Sequence, residues 1–224
     1  MLNQTAALPA TSAESYFREI PAGQILRLDG VSWDQYVTIC DALPDRPGLR
    51  TAYDGEALEL MTTSTPHERF KKLLGRLFET LTLELDIDIA CGGNMTFRRE
   101  DLERGLEPDE CYWVANERAM RHLDQWQPEI HPPADLAFEV DIKSSSVNRQ
   151  SIYAQLGVPE LWRFDGTRLE SLELRGKQYV PIPTSLAVPG LVVNDLLPFL
   201  YRMQTESENA ILREFVDWIN ETLR

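Results

Sequence analysis

The stretch "DLAFEVDIK" at residues 135–143 has the alternating pattern of a β-strand with one apolar and one charged face. The apolar face carries four residues, Leu136, Phe138, Val140 and Ile142. The other face carries the charged residues Asp135, Glu139, Asp141 and Lys143 around Ala137. The apolar face suits a protein core, so the chemistry of the charged face depends on what covers it.

The charged face needs cationic partners if protein covers it, because an unpaired buried charge costs several kcal/mol. Lys143 can neutralise one carboxylate, whereas Glu139 and Asp141 make two and Asp135 adds a third. The remaining negative charge can be stabilised in three ways: by arginines from elsewhere in the chain, by water at an exposed sheet edge, or by a divalent metal ion. The sequence leaves all three open.

Composition is typical of a globular protein and sets limits on the function. The 224 residues are 43% apolar and 26% charged, and we expect one domain over 1–224 with a loose N-terminal tail at 1–20. No apolar run is long enough to span a membrane, and the start lacks a secretory signal pattern. Three widely spaced cysteines indicate free thiols in a reducing cytoplasm. A net charge of −14 argues against a protein that coats nucleic acid, but an enzyme with a local basic rim remains compatible.

Hydrophobic periodicity predicts an α/β domain with additions at both ends. Before the core we expect a helix at 32–43, capped by Ser32, and a hairpin around Asp54-Gly55. The core elements are a helix at 65–86, strands within 87–99, 110–114 and 135–142, a helix at 146–157 and a strand at 160–166. A hairpin through Arg175-Gly176 and an amphipathic helix at 209–224 follow. That last helix could close the core or join a second copy, so a homodimer is one alternative.

The helix at 65–86 has the clearest boundary signals. Thr65 is expected to be the N-cap, Pro66 the first helical residue, and Glu68 the third residue after the cap, which together make a capping box. Leucine and phenylalanine then recur at helical spacing, at Phe70, Leu73, Leu74, Leu77, Leu81 and Leu85.

The stretch "RGLEPDECYW" at 104–113 supplies a second acid beside a predicted strand. Pro108 fixes the backbone before Asp109 and cannot donate in a sheet, so Asp109 is expected at the entry of the strand that follows. Carboxylates on neighbouring strands can share one hard divalent cation, which keeps water ligands for a substrate phosphate. A nearby lysine could orient the attacking water, so the pattern indicates phosphodiester hydrolysis.

Two features of the sequence resemble known proteins. The order helix, strand, strand, strand, helix, strand between residues 66 and 165 resembles the restriction-endonuclease-like PD-(D/E)XK core. The blocks "YDGEALELMTTSTPHERFKKLLGRL", "NMTFRREDLERGLEPDECYWV" and "FEVDIKSSSVNRQSIYAQLGVPELWRFDG" resemble the successive signature blocks of the Uma-two family of restriction-like endonucleases. These blocks span roughly residues 53 to 166.

The resemblance implies an endonuclease that cleaves DNA with Mg²⁺ or Mn²⁺. Asp109 and Glu139 match the family's predicted metal ligands, and Asp141 could share the ion. Glu68 matches a helix-borne acid that adds a ligand in some members, with the capping box as its alternative role. At position 143 similar members often carry a small hydroxyl residue, with the basic group on the following helix. Lys143 and Arg149 are therefore both candidates to act on the attacking water, Arg149 as an electrostatic clamp because arginine is a poor base.

Two other functions remain open. An accessory protein could retain the fold for binding or dimerisation, which the charge of −14 favours, and a hydrolase of small phosphate esters would tolerate an acidic surface. Among the remaining residues, His67 is expected to be solvated or supporting, and Tyr153, Trp162 and Phe164 to belong to the core. Arg98, Arg99 and Arg104 form either a basic rim or, with their acidic neighbours, an ordinary solvated surface.

Overall fold

The computed structural model describes residues 21–43, 48–122, 124–142, 145 and 147–224. Within them the chain forms eleven strands, six α-helices and two short 3₁₀ turns. Lys143 and the predicted tail at 1–20 lie outside the described residues. None of the helices within the described ranges combines the length and apolar character that a membrane span requires.

The first half of the chain contains the short helix and the hairpin that were predicted, preceded by a strand that was not. Its elements are β1 (Ile25–Asp29), α1 (Trp33–Ala42), β2 (Leu49–Tyr53), β3 (Ala57–Thr62), α2 (Thr65–Glu84), β4 (Ala90–Cys91), β5 (Phe97–Arg99) and β6 (Arg104–Leu106). Ser32 caps α1 by accepting a hydrogen bond from the backbone N–H of Gln35. Strands β2 and β3 pair antiparallel across the turn at Asp54-Gly55.

The second half alternates strands and helices before a helical C-terminus. Its elements are β7 (Glu110–Trp113), α3 (Glu117–Met120), β8 (Leu136–Val140), α4 (Arg149–Leu156), β9 (Glu160–Phe164), β10 (Leu169–Arg175), β11 (Gln178–Ile182), α5 (Leu197–Arg202) and α6 (Glu208–Thr222). Strands β10 and β11 form the hairpin predicted at Arg175-Gly176.

The strands form two sheets. One has five strands in the order β1-β3-β2-β6-β5, and its pairs are antiparallel. The other has six strands in the order β11-β10-β9-β8-β7-β4, with β8 and β9 as its parallel pair. Along the chain, α2, β4, β7, β8, α4 and β9 follow the order helix, three strands, helix, strand, with β5, β6 and α3 inserted between them. The predicted restriction-endonuclease-like α/β core is confirmed.

Both faces of the six-stranded sheet are covered by protein. Helices α2, α5 and α6 pack on one face, where Phe138 and Val140 of β8 join a core with Phe78 and Phe215. The other face meets α4 and the five-stranded sheet, where Ala137 packs in a second core. Strand β8 lies between β7 and β9, so the alternative of a water-facing sheet edge is wrong.

Helix α2 begins one residue before the position predicted. Its N-cap is Ser64, whose side chain accepts from the backbone N–H of His67, so Thr65 is already helical and Pro66 is the second residue. The predicted capping box between Thr65 and Glu68 is therefore wrong, because the register places His67 rather than Glu68 at the third position.

Two other parts of the prediction need correction or completion. The segment 87–99 contains two short strands in different sheets, β4 and β5, rather than one strand. The C-terminal helix α6 buries Ile211, Phe215 and Ile219 in the core beside α2, so it closes the domain. A homodimer through this helix remains a prediction.

Candidate functional site

Asp109 lies just before β7, close enough to Glu139 on β8 for the two charges to interact. The antiparallel register of β7 and β8 ends with Glu110 opposite Phe138, and the backbone N–H of Asp109 donates to the carbonyl oxygen of Phe138 at 3.2 Å. The backbone N–H of Val140 donates to Asp109 Oδ2 at 2.7 Å, which fixes this carboxylate against β8. Both acids are buried, with 1% and 6% of their surface exposed. The two acids that the sequence singled out are thus brought together at one end of the sheet.

His67 joins α2 to this acidic pair. Its Nε2 lies 3.2 Å from Asp109 Oδ2, and its Nδ1 lies 3.5 Å from Glu68 Oε1. Burial opposes the charged imidazolium, but Asp109 and Glu68 outweigh that effect and raise the pKa of His67 to about 9. Burial likewise opposes the charge on Asp109, yet His67 and the Val140 N–H lower the pKa of that carboxyl. His67 is 5% exposed and lies beside Asp109, so of the two expected positions, solvated or supporting, it takes the supporting one, and its role in the reaction remains a prediction.

Arg149 and Tyr153, one turn apart on α4, bind Glu139. The Arg149 Nε lies 2.5 Å from Glu139 Oε1, and Nη2 donates to Oε2 at 3.2 Å. The Tyr153 hydroxyl donates to the same Oε2 at 2.7 Å. Arg149 also donates to the carbonyl oxygen of Glu107 at 2.7 Å, which anchors its guanidinium between the two sheets. Burial raises the pKa of Glu139, and Arg149 and Tyr153 oppose that rise.

Asp141 faces a different arginine. Arg163 on β9 donates to Asp141 Oδ2 at 3.1 Å, and both side chains are partly exposed. Of the three sources of compensation for the charged face, arginines from elsewhere in the chain are therefore present, one for Glu139 and one for Asp141. Because Lys143 lies outside the described residues, its predicted role remains a prediction.

The five-stranded sheet contributes further buried charges near this site. Glu59 on β3 is fully buried and accepts hydrogen bonds from the Ser145 hydroxyl at 2.8 Å and the Val147 N–H at 3.3 Å. Arg50 on β2 is 4% exposed. His67 is the main cause that lowers the pKa of Glu68 to about 2, and the charge of Arg50 adds to it. Burial raises the pKa of Glu107, and the charge of Arg50 opposes that rise. The site thus lies between the two sheets, where a single-sheet prediction could not locate it.

Three side chains in this region had only weak indications in the sequence. His67 follows Pro66 at a helix start, a position that is usually solvated. Tyr153 was correctly predicted to be buried, but the helical pattern does not reveal that its hydroxyl reaches Glu139. Lys71, one turn after His67, lies 4.0 Å from Glu68 Oε2 and 3.9 Å from Glu110 Oε1. Its position four residues after His67 on the same helix face was the available indication.

The acidic side chains suit a hard divalent ion in type but are not arranged to bind one. Carboxylate oxygens are the ligands that Mg²⁺ and Mn²⁺ prefer. However, the described residues contain no group of three or more histidine, cysteine or acidic side chains placed to hold a metal. Both oxygens of Glu139 are bound by Arg149. Glu68 lines a separate pocket with Thr63, Ser64 and Arg69, and 42% of its side chain is exposed. As they lie in this structure, these acids do not form a metal site.

Comparison with known families identifies the chain. A family model described as "Uma2: Putative restriction endonuclease" matches residues 33–206. The chain belongs to the Uma2 family. This is the Uma-two resemblance noted from the sequence blocks, now extended to α1 and α5.

Comparisons with individual proteins add one similar structure. The crystal structure of "a putative nuclease belonging to DUF820 from Anabaena variabilis ATCC 29413" is similar to this chain with a TM-score of 0.47 and 11% identity. The match covers 83% of this chain and 99% of that chain. A search of curated proteins gives no match.

Proposed function

We propose that this Uma2 protein is an endonuclease that hydrolyses phosphodiester bonds of DNA. Its family is described as one of putative restriction endonucleases, and the observation that carries the proposal is the proximity of the buried acids Asp109 and Glu139. Two neighbouring acids with the cationic side chains His67 and Arg149 beside them suit a reaction in which negative charge develops on a phosphate.

In this proposal each residue of the site has a separate task. Asp109 is positioned by the Val140 N–H and by His67, so its carboxylate has one fixed orientation. Arg149 stabilises negative charge on the phosphate and does not accept a proton, because its pKa lies far above neutrality. Asp141 contributes as a third acid, and its arginine partner is Arg163 rather than Arg149. Lys143 stays the alternative basic residue.

We further propose Mg²⁺ or Mn²⁺ as the cofactor, with Asp109, Glu139 and Glu68 as the residues that would hold it. The ion would supply Lewis acidity to the phosphoryl oxygens. In the present arrangement Arg149 contacts both oxygens of Glu139, and the described residues do not form a group of three or more side chains placed to hold a metal.

Nicking of supercoiled plasmid tests this proposal. The purified protein is incubated with plasmid and Mn²⁺ or Mg²⁺, beside Asp109→Asn and Glu139→Gln, which change charge and scarcely change volume. We expect the wild type to convert supercoiled plasmid to open circles and both variants to leave it intact. Glu170→Gln, at a partly exposed acid on β10, is the matched control and should cleave like the wild type. Equal cleavage by all four proteins would show that the activity does not come from this site.

An accessory binding protein is the second candidate function. Two observations favour it: the net charge of −14 opposes approach to DNA, and Arg149 already neutralises Glu139. Calorimetric titration with Mn²⁺ separates the two functions, since an accessory protein would show neither ion binding nor plasmid nicking. Hydrolysis of bis(p-nitrophenyl) phosphate without plasmid nicking would instead indicate a hydrolase of small phosphate esters.

A further inference from the structure

The acids and cations of the candidate site are recessed between the two sheets. Four of its side chains are 8% exposed or less: His67, Asp109, Glu139 and Arg149. These side chains do not reach the outer surface, which is where the backbone of a bound double helix would lie. A phosphate that meets this site therefore has to enter the protein.

One pocket gives access to Glu139. The pocket has a volume of about 340 Å³, and its lining extends from the exposed Asn148, through the partly exposed Asp141 and Arg163, to the buried Glu139 and Arg149. This volume is at the lower end of the range for sites that hold one small ligand, roughly 300–1,000 Å³. The pocket thus has room for about one nucleotide of a strand and not for a double helix.

Contacts between the sheets keep this pocket narrow. Arg149 lies 2.5 Å from Glu139 on the six-stranded sheet and donates at 2.7 Å to the carbonyl oxygen of Glu107, which follows β6 of the five-stranded sheet. Ser145, which also lines the pocket, donates to Glu59 on β3 at 2.8 Å. Widening the gap between the sheets would separate buried charged groups from their partners, which is costly.

Two arginines in the pocket keep N–H donors for a phosphate. Arg149 binds its protein partners through Nε and Nη2, and Arg163 binds Asp141 through Nη2 at 3.1 Å. Within the part of the chain that the structure describes, Nη1 of both arginines and Nε of Arg163 form no hydrogen bond to the protein. A guanidinium has five N–H donors, so it can bind a carboxylate on one edge and a phosphate oxygen on another.

We propose that the substrate is DNA in which the strand to be cut is unpaired, either a single strand or a strand locally separated from its complement. The inference rests on the proposed nuclease function and names the form of DNA on which it acts. An unpaired strand can lead one nucleotide into the pocket, whereas a duplex must first open, at a cost that slows its reaction by about 10-fold or more. The few donors of the pocket also suit a protein whose net charge of −14 opposes wide contact with a DNA backbone.

Cleavage of matched substrates tests the inference. One end-labelled DNA strand without self-complementary segments is offered alone, annealed to its complement, and annealed to a complement that leaves a central run of mismatches. With Mn²⁺ present, we expect the single strand to be cut at least about 10-fold faster than the full duplex, and the third substrate to be cut within the mismatched run. Supercoiled plasmid should be nicked faster than the relaxed closed circle of the same sequence, because negative supercoiling favours local strand separation.

Binding without metal is a second measurement, and it does not need turnover. In EDTA, fluorescence anisotropy should give the single strand a dissociation constant about 10-fold or more below that of the duplex. Arg163→Gln should weaken binding of the single strand by about 10-fold, the size of one hydrogen bond to a charged group. Arg168→Gln, at an exposed position outside the pocket, should bind like the wild type, and circular dichroism checks that both variants are folded.

The wild-type protein alone can overturn the inference. If the duplex is cut as fast as the single strand, the recessed site does not exclude paired DNA, although the cleavage itself would support the nuclease. If nothing is cut but the single strand binds more tightly than the duplex, the inference about the strand holds and the proposed hydrolysis is refuted. Absence of cleavage together with equal or absent binding of the two forms would refute both.

Discussion

Two buried glutamates on adjacent strands are stabilised in different ways. Glu139 on β8 has a charged partner, Arg149, and one neutral donor, Tyr153. Glu160 on β9 is fully buried, and its contacts are neutral donors: Trp162 and Ser171 on Oε1, and Ser185, Leu186 and Ala187 on Oε2. Glu160 therefore acts as a structural anchor that ties the loop at 185–187 to the sheet, whereas Glu139 is balanced by a charged partner.

The anchor role predicts that Glu160→Gln destabilises the fold. An amide can accept on one side only, so its NH₂ group must face either the donors of Oε1 or those of Oε2. At least one buried donor then loses its partner, which costs about 1–3 kcal/mol. The free energy of unfolding in urea measures this loss.

A neighbouring acid provides the comparison for that measurement. Glu170 on β10 lies 3.6 Å from Arg168 with 31% of its side chain exposed, so Glu170→Gln should change stability by less than about 0.5 kcal/mol. If Glu160→Gln is as harmless as Glu170→Gln, the five contacts do not stabilise the loop.

The sequence identified the acids of the site more readily than their partners. Asp109 and Glu139 could be predicted because Pro108 and the strand alternation fix their positions along the chain. Arg149 was named as one of two basic candidates, and its contact with Glu139 follows from the helix that comes after β8. His67 and Tyr153 were not predicted as contacts, because a helix start and a core tyrosine have ordinary structural explanations. Contact between distant residues depends on packing that periodicity does not encode.

At the scale of elements, α2 packs closely against the sheet at Gly75. A Cβ atom there would lie 3.2 Å from the Tyr112 hydroxyl oxygen and 3.7 Å from Glu110 Cγ. The absent side chain therefore sets the distance between α2 and β7. His67, Glu68 and Lys71 precede Gly75 on the same helix, so this distance also positions them beside Asp109.

Gly75→Leu should separate α2 from the sheet. The extra side chain has no room, and overpacking of this kind costs about 1–3 kcal/mol in stability. Chemical denaturation measures the loss, and plasmid nicking by the folded fraction should also fall because His67 moves away from Asp109. Lys72→Leu, at an exposed position of the same helix, should stay within about 0.5 kcal/mol of the wild type. Equal stability of both variants would mean that α2 does not pack at Gly75.

The helices and strands of the core could be predicted from the sequence, whereas the strands of the five-stranded sheet could be predicted only in part. Helix α2 and strands β7, β8 and β9 have strong periodic patterns, and the structure contains all four. Strands β5 and β6 have three residues each, too few for an alternating pattern to emerge. They are stabilised by pairing with each other and with β2, which is a tertiary effect.

At the scale of the whole molecule, the net negative charge of the protein limits which parts of its surface can contact DNA. Many surface arginines are already paired with acids, including Arg99 with Asp101 at 2.6 Å and Arg175 with Glu173 at 2.7 Å. Arg98 is paired with Asp41 at 2.9 Å, so the solvated surface is favoured over the basic rim at this region. Contacts with phosphate should therefore be few and concentrated at the pocket of Arg149 and Arg163.

This arrangement predicts a weak salt dependence of DNA binding. The logarithm of the binding constant falls with the logarithm of salt concentration by about 0.9 per phosphate that the protein neutralises. Two or three such contacts give a slope of about −2 to −3, compared with about −6 to −9 for a protein that makes many. Anisotropy of a labelled duplex at several KCl concentrations measures the slope.

Arg163→Gln should make the slope shallower by about 1, because one phosphate contact is lost, while Arg168→Gln should leave it unchanged. A slope near −6 in the wild type would mean that basic surface outside the pocket contacts the DNA, and that the net charge of −14 does not confine binding to this site.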